Sequence, residues 1–318
     1  MKAVQVIGDS SSPHIICNQN VPRPIAQGRQ ILVQVHAAGI TADEVTWPEL
    51  YRTASRIPGH DVSGTIAFLG PDYDGPLKVG QEVYALLHAD RGEGQAEFVI
   101  CHADEIASKP SSISHAEAAA LPIPALTAWE AIADHVKIGA VAKVLVTGAS
   151  GAVGSIFVQL VKHLTGAKVI ALASPNSHSV LKRLGADEVL DYHIPDWEKL
   201  TMGVDVVFDT VGGEMLTKTW ETVSDEGTII TVADPPPPWA FGRGPAAESA
   251  AHPGVRYVYF IVSPNSRRLA EVAKFIDDGV VEALKVRTFS IEHAEQAWSN
   301  ARGRNRGYKA VIDMTMDS

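Results

Sequence analysis

The segment KVLVTGASGAVGSIFVQLVKHL, residues 143–164, constrains this chain more than any other stretch. An aliphatic run ends at Thr147, glycines follow at 148, 151 and 154, and apolar residues then recur at helical spacing at Val153, Phe157, Leu160, Val161 and Leu164. This pattern reads as a buried strand, a tight turn and a helix laid back on the sheet. The glycines let the chain reverse sharply and let backbone amides approach a pyrophosphate, whose charge suits the positive end of the helix. A second strand, KVIALA, closes the unit at about the spacing a dinucleotide site requires. A glycine-rich turn that holds no ligand is the bland alternative, and it leaves this strand-turn-helix-strand context unused.

The end of the second strand bears on which dinucleotide is bound. NAD sites place an acid there for the ribose 2′-hydroxyl, but this strand ends Ala171, Leu172, Ala173, Ser174. Ser174, Asn176 and Ser177, with His178 or Lys182, offer donors to a 2′-phosphate, so NADPH is the expected cofactor. Lys182 and Arg183 read equally well as a solvated helix face. TGASGAVG also fits the TGxxGxxG of short-chain reductases, but no tyrosine here has a lysine four residues on, and a long segment precedes the motif. That reading fails.

From Met1 to about Pro110, short apolar or alternating runs (KAVQVI, QILVQVHAAGI, GTIAFLG, EVYALL, AEFVI) are cut by Gly and Pro, as in a barrel-like antiparallel domain. Residues 114–137 look helical, and strands then alternate with helices through DEVLDY, VDVVFDTVG, GTIITV and VRYVYFIV, the pattern of a parallel, doubly wound sheet. The segment from Ser263 reads as helix, short strand near LKVRTF, helix and final strand YKAVIDM, with no evident place in that sheet. Four prolines at 235–238 mark a loop.

A chain of 318 residues, 46% hydrophobic, suits about two domains with a sizeable core. Its net charge of −10 and lack of a basic face argue against nucleic acid, and Arg302, Arg304 and Arg306 read as a solvated turn. The start MKAVQVIGDS has no basic segment before an apolar run, and no apolar stretch is long enough to cross a bilayer, so no membrane partner and a cytoplasmic location are expected. Cys17 and Cys101 are too few for a four-cysteine zinc lobe, and reduced thiols are the default.

HAAGITADE (36–44), PGHDVSGT (58–65), AEAAALPIPALTAWEA (116–131), VLVTGASGAVG (144–154), LGADEVLDY (184–192), DVVFDTVGG (205–213) and GRNRGYKAVID (303–313) run in one order through nearly the whole chain. In them the chain resembles the medium-chain dehydrogenase/reductase superfamily, and within it the zinc-independent quinone oxidoreductase and enoyl reductase-like branch. The resemblance implies a GroES-like, partly open β-barrel catalytic domain over residues 1–122, completed by 263–318, and a Rossmann domain with a doubly wound parallel sheet over 123–262. It also suggests a homodimer. Gly148, Ala149, Gly151, Ala152, Val153 and Gly154 match the pyrophosphate loop; Ser174, Lys182 and Tyr192 match positions facing the adenosine phosphate. Thr127, Thr210, Val211 and the backbone from Phe260 to Val262 match places beside the nicotinamide, and Asn305 lies in a return that often touches cofactor.

The catalytic part is where the chain departs from its resemblance. Zinc members hold metal with a Cys in the AAGxC position, a His after the glycine of GH(E/D), and a third Cys or acid; here Thr41 fills the first position and LPIPALTAW offers no third ligand. One histidine, His60, does not make the three-ligand site a catalytic zinc needs, and only convergence of His88, Cys101 and His102 would restore one. Many quinone reductases read INPVD with a Tyr two residues later; this chain reads ITADEVT, with Thr41 and Thr46 in the places of that Asn and Tyr. Thr41, Glu44, Trp47, Tyr51 and His60 are the substrate-cleft candidates, each weighed against simple packing. Without a Lewis acid the expected acceptors are small-molecule quinones or α,β-unsaturated carbonyls, which conjugation already makes electrophilic. Two other readings stand beside this one: a trans-acting enoyl reductase on carrier-bound intermediates, and a low-turnover NADPH-binding redox sensor.

Overall fold

The structure, a computed structural model, describes residues 1–303 and 307–316. The chain divides into two compact units, one made of Met1–Leu126, Ser263–Gly279 and Ala283–Ser318, the other of Thr127–Val262 with Val280–Glu282. The first division falls within a helix, a few residues beyond the sequence-based boundary at 122.

The N-terminal part of the first unit opens with β1 (Ala3–Ile7) and β2 (His14–Asn18), an antiparallel ribbon of their own. β3 (Ile31–Gly39), β4 (Asp61–Leu69), β5 (Glu82–Leu86) and β7 (Ile106–Ser108) pair antiparallel in that order, and β6 (Phe98–Cys101) pairs with β3. Alternate residues along these strands, among them Ile31, Val33, Val35, Val62, Ile66, Val83, Ala85, Val99 and Cys101, meet in one buried cluster. Period-two alternation builds this core, each large aliphatic chain contributing about 1.5–3 kcal/mol. The helix expected over 114–137 is broken into α1 (His115–Ala118), capped by Ser114 and Glu117 in a reciprocal box, then α2 (Pro122–Glu130) and a π turn over Ala131–His135. Proline at the head of α2 forces the interruption, because it cannot donate into a preceding turn.

In the second unit, β8 (Lys143–Val146), α3 (Ala152–Thr165), β9 (Lys168–Leu172), α4 (His178–Arg183), β10 (Glu188–Leu190), β11 (Val204–Asp209), α5 (Gly213–Thr219), β12 (Val223–Thr231) and β13 (Arg256–Tyr259) follow in turn. All six strands are parallel, in the order β10-β9-β8-β11-β12-β13. The order reverses beside β8, so the switch point of this doubly wound sheet lies between β8 and β11. The strand residues Val144, Leu145, Val146, Val207, Phe208 and Ile229 are all fully buried, which explains why these strands read as continuous apolar runs. Phe157 of α3 stacks on Phe208 at 3.9 Å between ring centroids. Leu164 departs from the sequence reading: it is 39% exposed, in the last turn of α3, where the helix has run past the sheet.

The chain then returns to the first unit through α6 (Ser266–Asp277), β14 (Val286–Ser290), α7 (Ala294–Ala301) and β15 (Lys309–Asp313). β15 pairs antiparallel with β3, placing Ile312 opposite Ala38, and β14 runs parallel to β15. At this edge α7 is a crossover helix, and a crossover returns the chain parallel. Lys309 Nζ meets Asp61 Oδ2 at 2.5 Å with both side chains buried, and Asp61 Oδ1 accepts the Ile123 amide at 2.7 Å. This pair joins β4, β15 and the head of α2. Burial pushes the Asp61 carboxyl up, against the opposing pull of the Lys309 ammonium. A buried pair of this kind adds little net stability, yet removing one partner strands the other. Lys309→Met should therefore lower the unfolding free energy by about 3–5 kcal/mol, while adding Asp61→Asn to it should recover part of the loss; chemical denaturation of both variants measures this.

Candidate cofactor and substrate sites

The turn between β8 and α3 is shaped by two glycines. Gly148 has a positive φ of 58°, and a methyl there would lie 2.3 Å from Thr210 Oγ1. A methyl on Gly154 would lie 2.4 Å from the Gly148 carbonyl oxygen and 2.8 Å from Ala149 Cα, both backbone atoms that cannot yield. Gly151 caps α3 and is exposed, and a methyl there would lie 3.1 Å from the Gly148 carbonyl oxygen. The first amides of α3, at Ala152 and Val153, thus stand at a helix start with no capping side chain over them. Such a start is suited to a pyrophosphate. The donors and the clearances fit a dinucleotide.

At the end of β9, Ala173 is buried and Ser174 half-buried at the start of a short 3-10 turn over Pro175–Ser177. Lys182 is exposed in the last turn of α4, whereas Arg183 is ion-paired with Glu282. His178 Nε2 lies 3.2 Å from the Ala173 carbonyl. Tyr192 packs on the apolar cluster of this unit and lies 4.1 Å from the His193 ring. Thr127 is buried in α2, Val211 is 44% exposed, and Phe260 stacks on His135 at 4.3 Å; Val262 is half-buried just beyond β13. Asn305 lies outside the described residues.

A group not singled out from the sequence organises the switch point. Asp209, fully buried at the end of β11, accepts from Thr147 Oγ1 at 2.5 Å and Thr231 Oγ1 at 2.7 Å, and from the Val211 and Gly212 amides at 3.2 and 3.0 Å. Thr210 closes the set, its amide donating to Thr147 Oγ1 and its hydroxyl to the Thr147 carbonyl. The one sequence signal was an acid ending an otherwise apolar run, VVFD.

In the first unit, the chain after β3 makes short 3-10 turns over Glu44–Thr46 and Leu50–Arg52. They turn Glu44 inward, 1% exposed, where Oε1 accepts the Gly59 amide at 2.5 Å and faces His60 Nδ1 at 2.9 Å. Glu44 Oε2 is buried with no partner among the described residues. His60 is 7% exposed, its Nε2 lies 3.3 Å from the Ala89 carbonyl, and its ring is 5.5 Å from Trp47. Desolvation alone would lower the His60 imidazole, but Glu44, aided by the Ala89 carbonyl and Asp61, raises it above its ordinary value. Tyr51 donates its hydroxyl to the Val45 carbonyl at 2.6 Å, and burial pushes that phenol up. It is a wall, with its proton committed. Thr41 is half-buried, and its carbonyl accepts the Glu44 amide at 3.1 Å.

These residues do not fit a catalytic zinc. Both nitrogens of His60 face partners, Thr41 supplies no thiolate, and no group of three His, Cys, Asp or Glu side chains is arranged to hold a metal among the described residues. His88, Cys101 and His102 do not converge: His88 pairs with Asp104 at 2.9 Å, and Cys101 sits in the β-sheet core, where burial pushes its thiol well up.

Comparison with known proteins places these features in a family context. Residues 27–111 match the alcohol dehydrogenase GroES-like domain and residues 184–312 the zinc-binding dehydrogenase domain. A mitochondrial NAD(P)H oxidoreductase of Danio rerio is 30% identical over 91% of this chain and 84% of its own length. A 2-methylene-furan-3-one reductase of Solanum lycopersicum is 30% identical over 89% of this chain and 71% of its own. Among solved structures, a quinone oxidoreductase from Coxiella burnetii superposes with a TM-score of 0.86 at 26% identity, covering 99% of both chains.

Two outcomes follow from the geometry. Gly154→Ala should weaken binding of the reduced nicotinamide dinucleotide at least tenfold, about 1.4 kcal/mol or more, in titrations of cofactor fluorescence. His60 is raised in the folded state, so its contribution to stability is complete below its ordinary value of 6.5 and is lost as pH rises through the raised one. Glu44→Gln should accordingly cost more stability at pH about 6 than at pH about 9, as read from denaturation midpoints at the two pH values.

Proposed function

We propose, because the chain belongs to the quinone oxidoreductase branch of the medium-chain dehydrogenase/reductase superfamily, that it uses NADPH to reduce quinones or α,β-unsaturated carbonyls without a catalytic metal. It is an oxidoreductase with a nicotinamide cofactor; the acceptor, the phosphate on the cofactor and the metal-free course are the proposal. The observation that carries it is the environment of His60. Glu44 Oε1 lies 2.9 Å from Nδ1 as a charge contact and the Ala89 carbonyl lies 3.3 Å from Nε2, so the family's metal ligand position sits in a charge pair.

Without a Lewis acid the protein has no strong means of stabilising an alkoxide, and simple alcohol oxidation loses its support. A conjugated acceptor needs less, because hydride addition leaves an enolate or phenolate whose charge is already delocalised. The names of the tomato furanone reductase and the Coxiella burnetii quinone oxidoreductase agree with acceptors of this type. When bound, NADPH supplies the hydride. The loop from Gly148 to Gly154 and the start of α3 hold its pyrophosphate, Ser174 and Lys182 stand for its 2′-phosphate, and Thr210, Val211, Phe260 and Val262 for its nicotinamide end. His60 stands 2.9 Å from the Glu44 carboxylate, which raises its imidazole above the ordinary value and makes the two a buried charge pair of the first unit. Its proton is not the one delivered; with Tyr51 also committed, solvent supplies the proton that completes the product. Cytoplasmic residence and a homodimer remain part of the proposal.

Metal-stripped protein should oxidise NADPH with an ortho-quinone or a simple enone, at least tenfold faster than it oxidises NADH. Turnover that appears only after zinc is added would refute the metal-free course. Tight NADPH binding with no turnover of either acceptor would refute the substrate class.

A further inference from the structure

Asp209 sits at the carboxyl end of β11, across the switch point from the glycine turn, and every contact it makes is with a donor. Thr147 Oγ1 accepts from the Thr210 amide at 3.2 Å, and Thr231 Oγ1 accepts from the Ala233 amide at 3.2 Å, so each hydroxyl has its proton left for the carboxylate. Its partners are two threonine hydroxyls and two amides, and no lysine, arginine or histidine pairs with it among the described residues. The site is built around a buried carboxyl group held by hydrogen bonds alone. Of the two halves of a doubly wound sheet, the one holding β9 takes the adenosine, and the other, which begins at β11, takes the second nucleotide. The amides that Asp209 orients, Val211 and Gly212, therefore line the nicotinamide end.

We infer that Asp209 is a positioning residue for the nicotinamide end that also biases the bound cofactor toward its oxidised form. Hydride transfer takes both electrons of a C4–H bond from the neutral dihydropyridine ring to the acceptor, where a new C–H or O–H bond forms and a solvent proton completes the product. The ring is left a pyridinium with one more positive charge. A fixed anion behind the loop favours that cation over the neutral ring, and the low dielectric of a buried site carries the effect over several ångströms. Asp209 works through the loop from Thr210 to Gly212 and touches no reacting atom. The inference rests on the cofactor reading above.

The test is the ratio of dissociation constants, Kd for NADP⁺ over Kd for NADPH, measured by calorimetric titration without any acceptor. Asp209→Asn keeps the shape and removes the charge, and should raise the ratio about fivefold or more. Thr231→Val keeps the charge and removes one of its donors, so the carboxylate is less compensated and the ratio should fall about twofold. A merely structural role would loosen the loop in both variants and move the ratio in one direction or not at all, which would overturn the inference. If Asp209→Asn does not fold, judged by circular dichroism, Thr231→Val decides: a fall supports the inference and a rise or no change overturns it. Wild-type protein that binds neither nucleotide would overturn the cofactor reading itself, a result distinct from an unmoved ratio.

Discussion

The absence of a side chain at Gly154 is the constraint on which the cofactor half of this protein depends. A single methyl would press on the backbone of Gly148 and Ala149, and neither can move without displacing β8 from the centre of the sheet. The same close approach brings Gly148 against Thr210, so the glycine turn and the loop after β11 are fitted to each other. Asp209, at the end of β11, then ties that loop to the ends of β8 and β12. Dispensing with side chains at two positions, and concentrating donors on one carboxylate, yields a rigid edge with free amides along it.

The other unit solves a different problem, that of keeping charges where a relative would keep a metal. Glu44 and His60 face each other under Trp47, and next in sequence Asp61 faces Lys309. The histidine and the lysine each meet a carboxylate, so ionisable groups are buried here as pairs. Such pairs are poor sources of stability, since desolvation offsets most of their attraction.

Much of this was legible in the sequence because it rests on local pattern. The strand, glycine turn and helix at 143–165 follow from periodicity and from glycine's freedom at positive φ, and the alternation of strand and helix dictates the doubly wound sheet. What was not legible depends on pairs far apart in the chain. Lys309 and Asp61 are 248 residues apart, and nothing in YKAVID announces a buried ammonium. Asp209 was passed over because its meaning comes from Thr147 and Thr231, each in a separate strand. Tyr51 was a substrate-cleft candidate by residue type, and only the fold shows its hydroxyl spent on the Val45 carbonyl. Arg183 was open to a phosphate role until its side chain was seen on Glu282, whereas Lys182, one residue earlier, is exposed.

The measurement that tests the account most directly is transfer of label. NADPH carrying deuterium at C4, in each of the two stereochemical positions, is turned over by metal-stripped protein with a conjugated enone, and the product is weighed by mass spectrometry. The account predicts one deuterium at the β-carbon of the product from one of the two labelled cofactors and none from the other, with the α-hydrogen drawn from solvent. Reduced product without deuterium from either labelled cofactor would contradict direct hydride transfer, and with it the function assigned to the switch point.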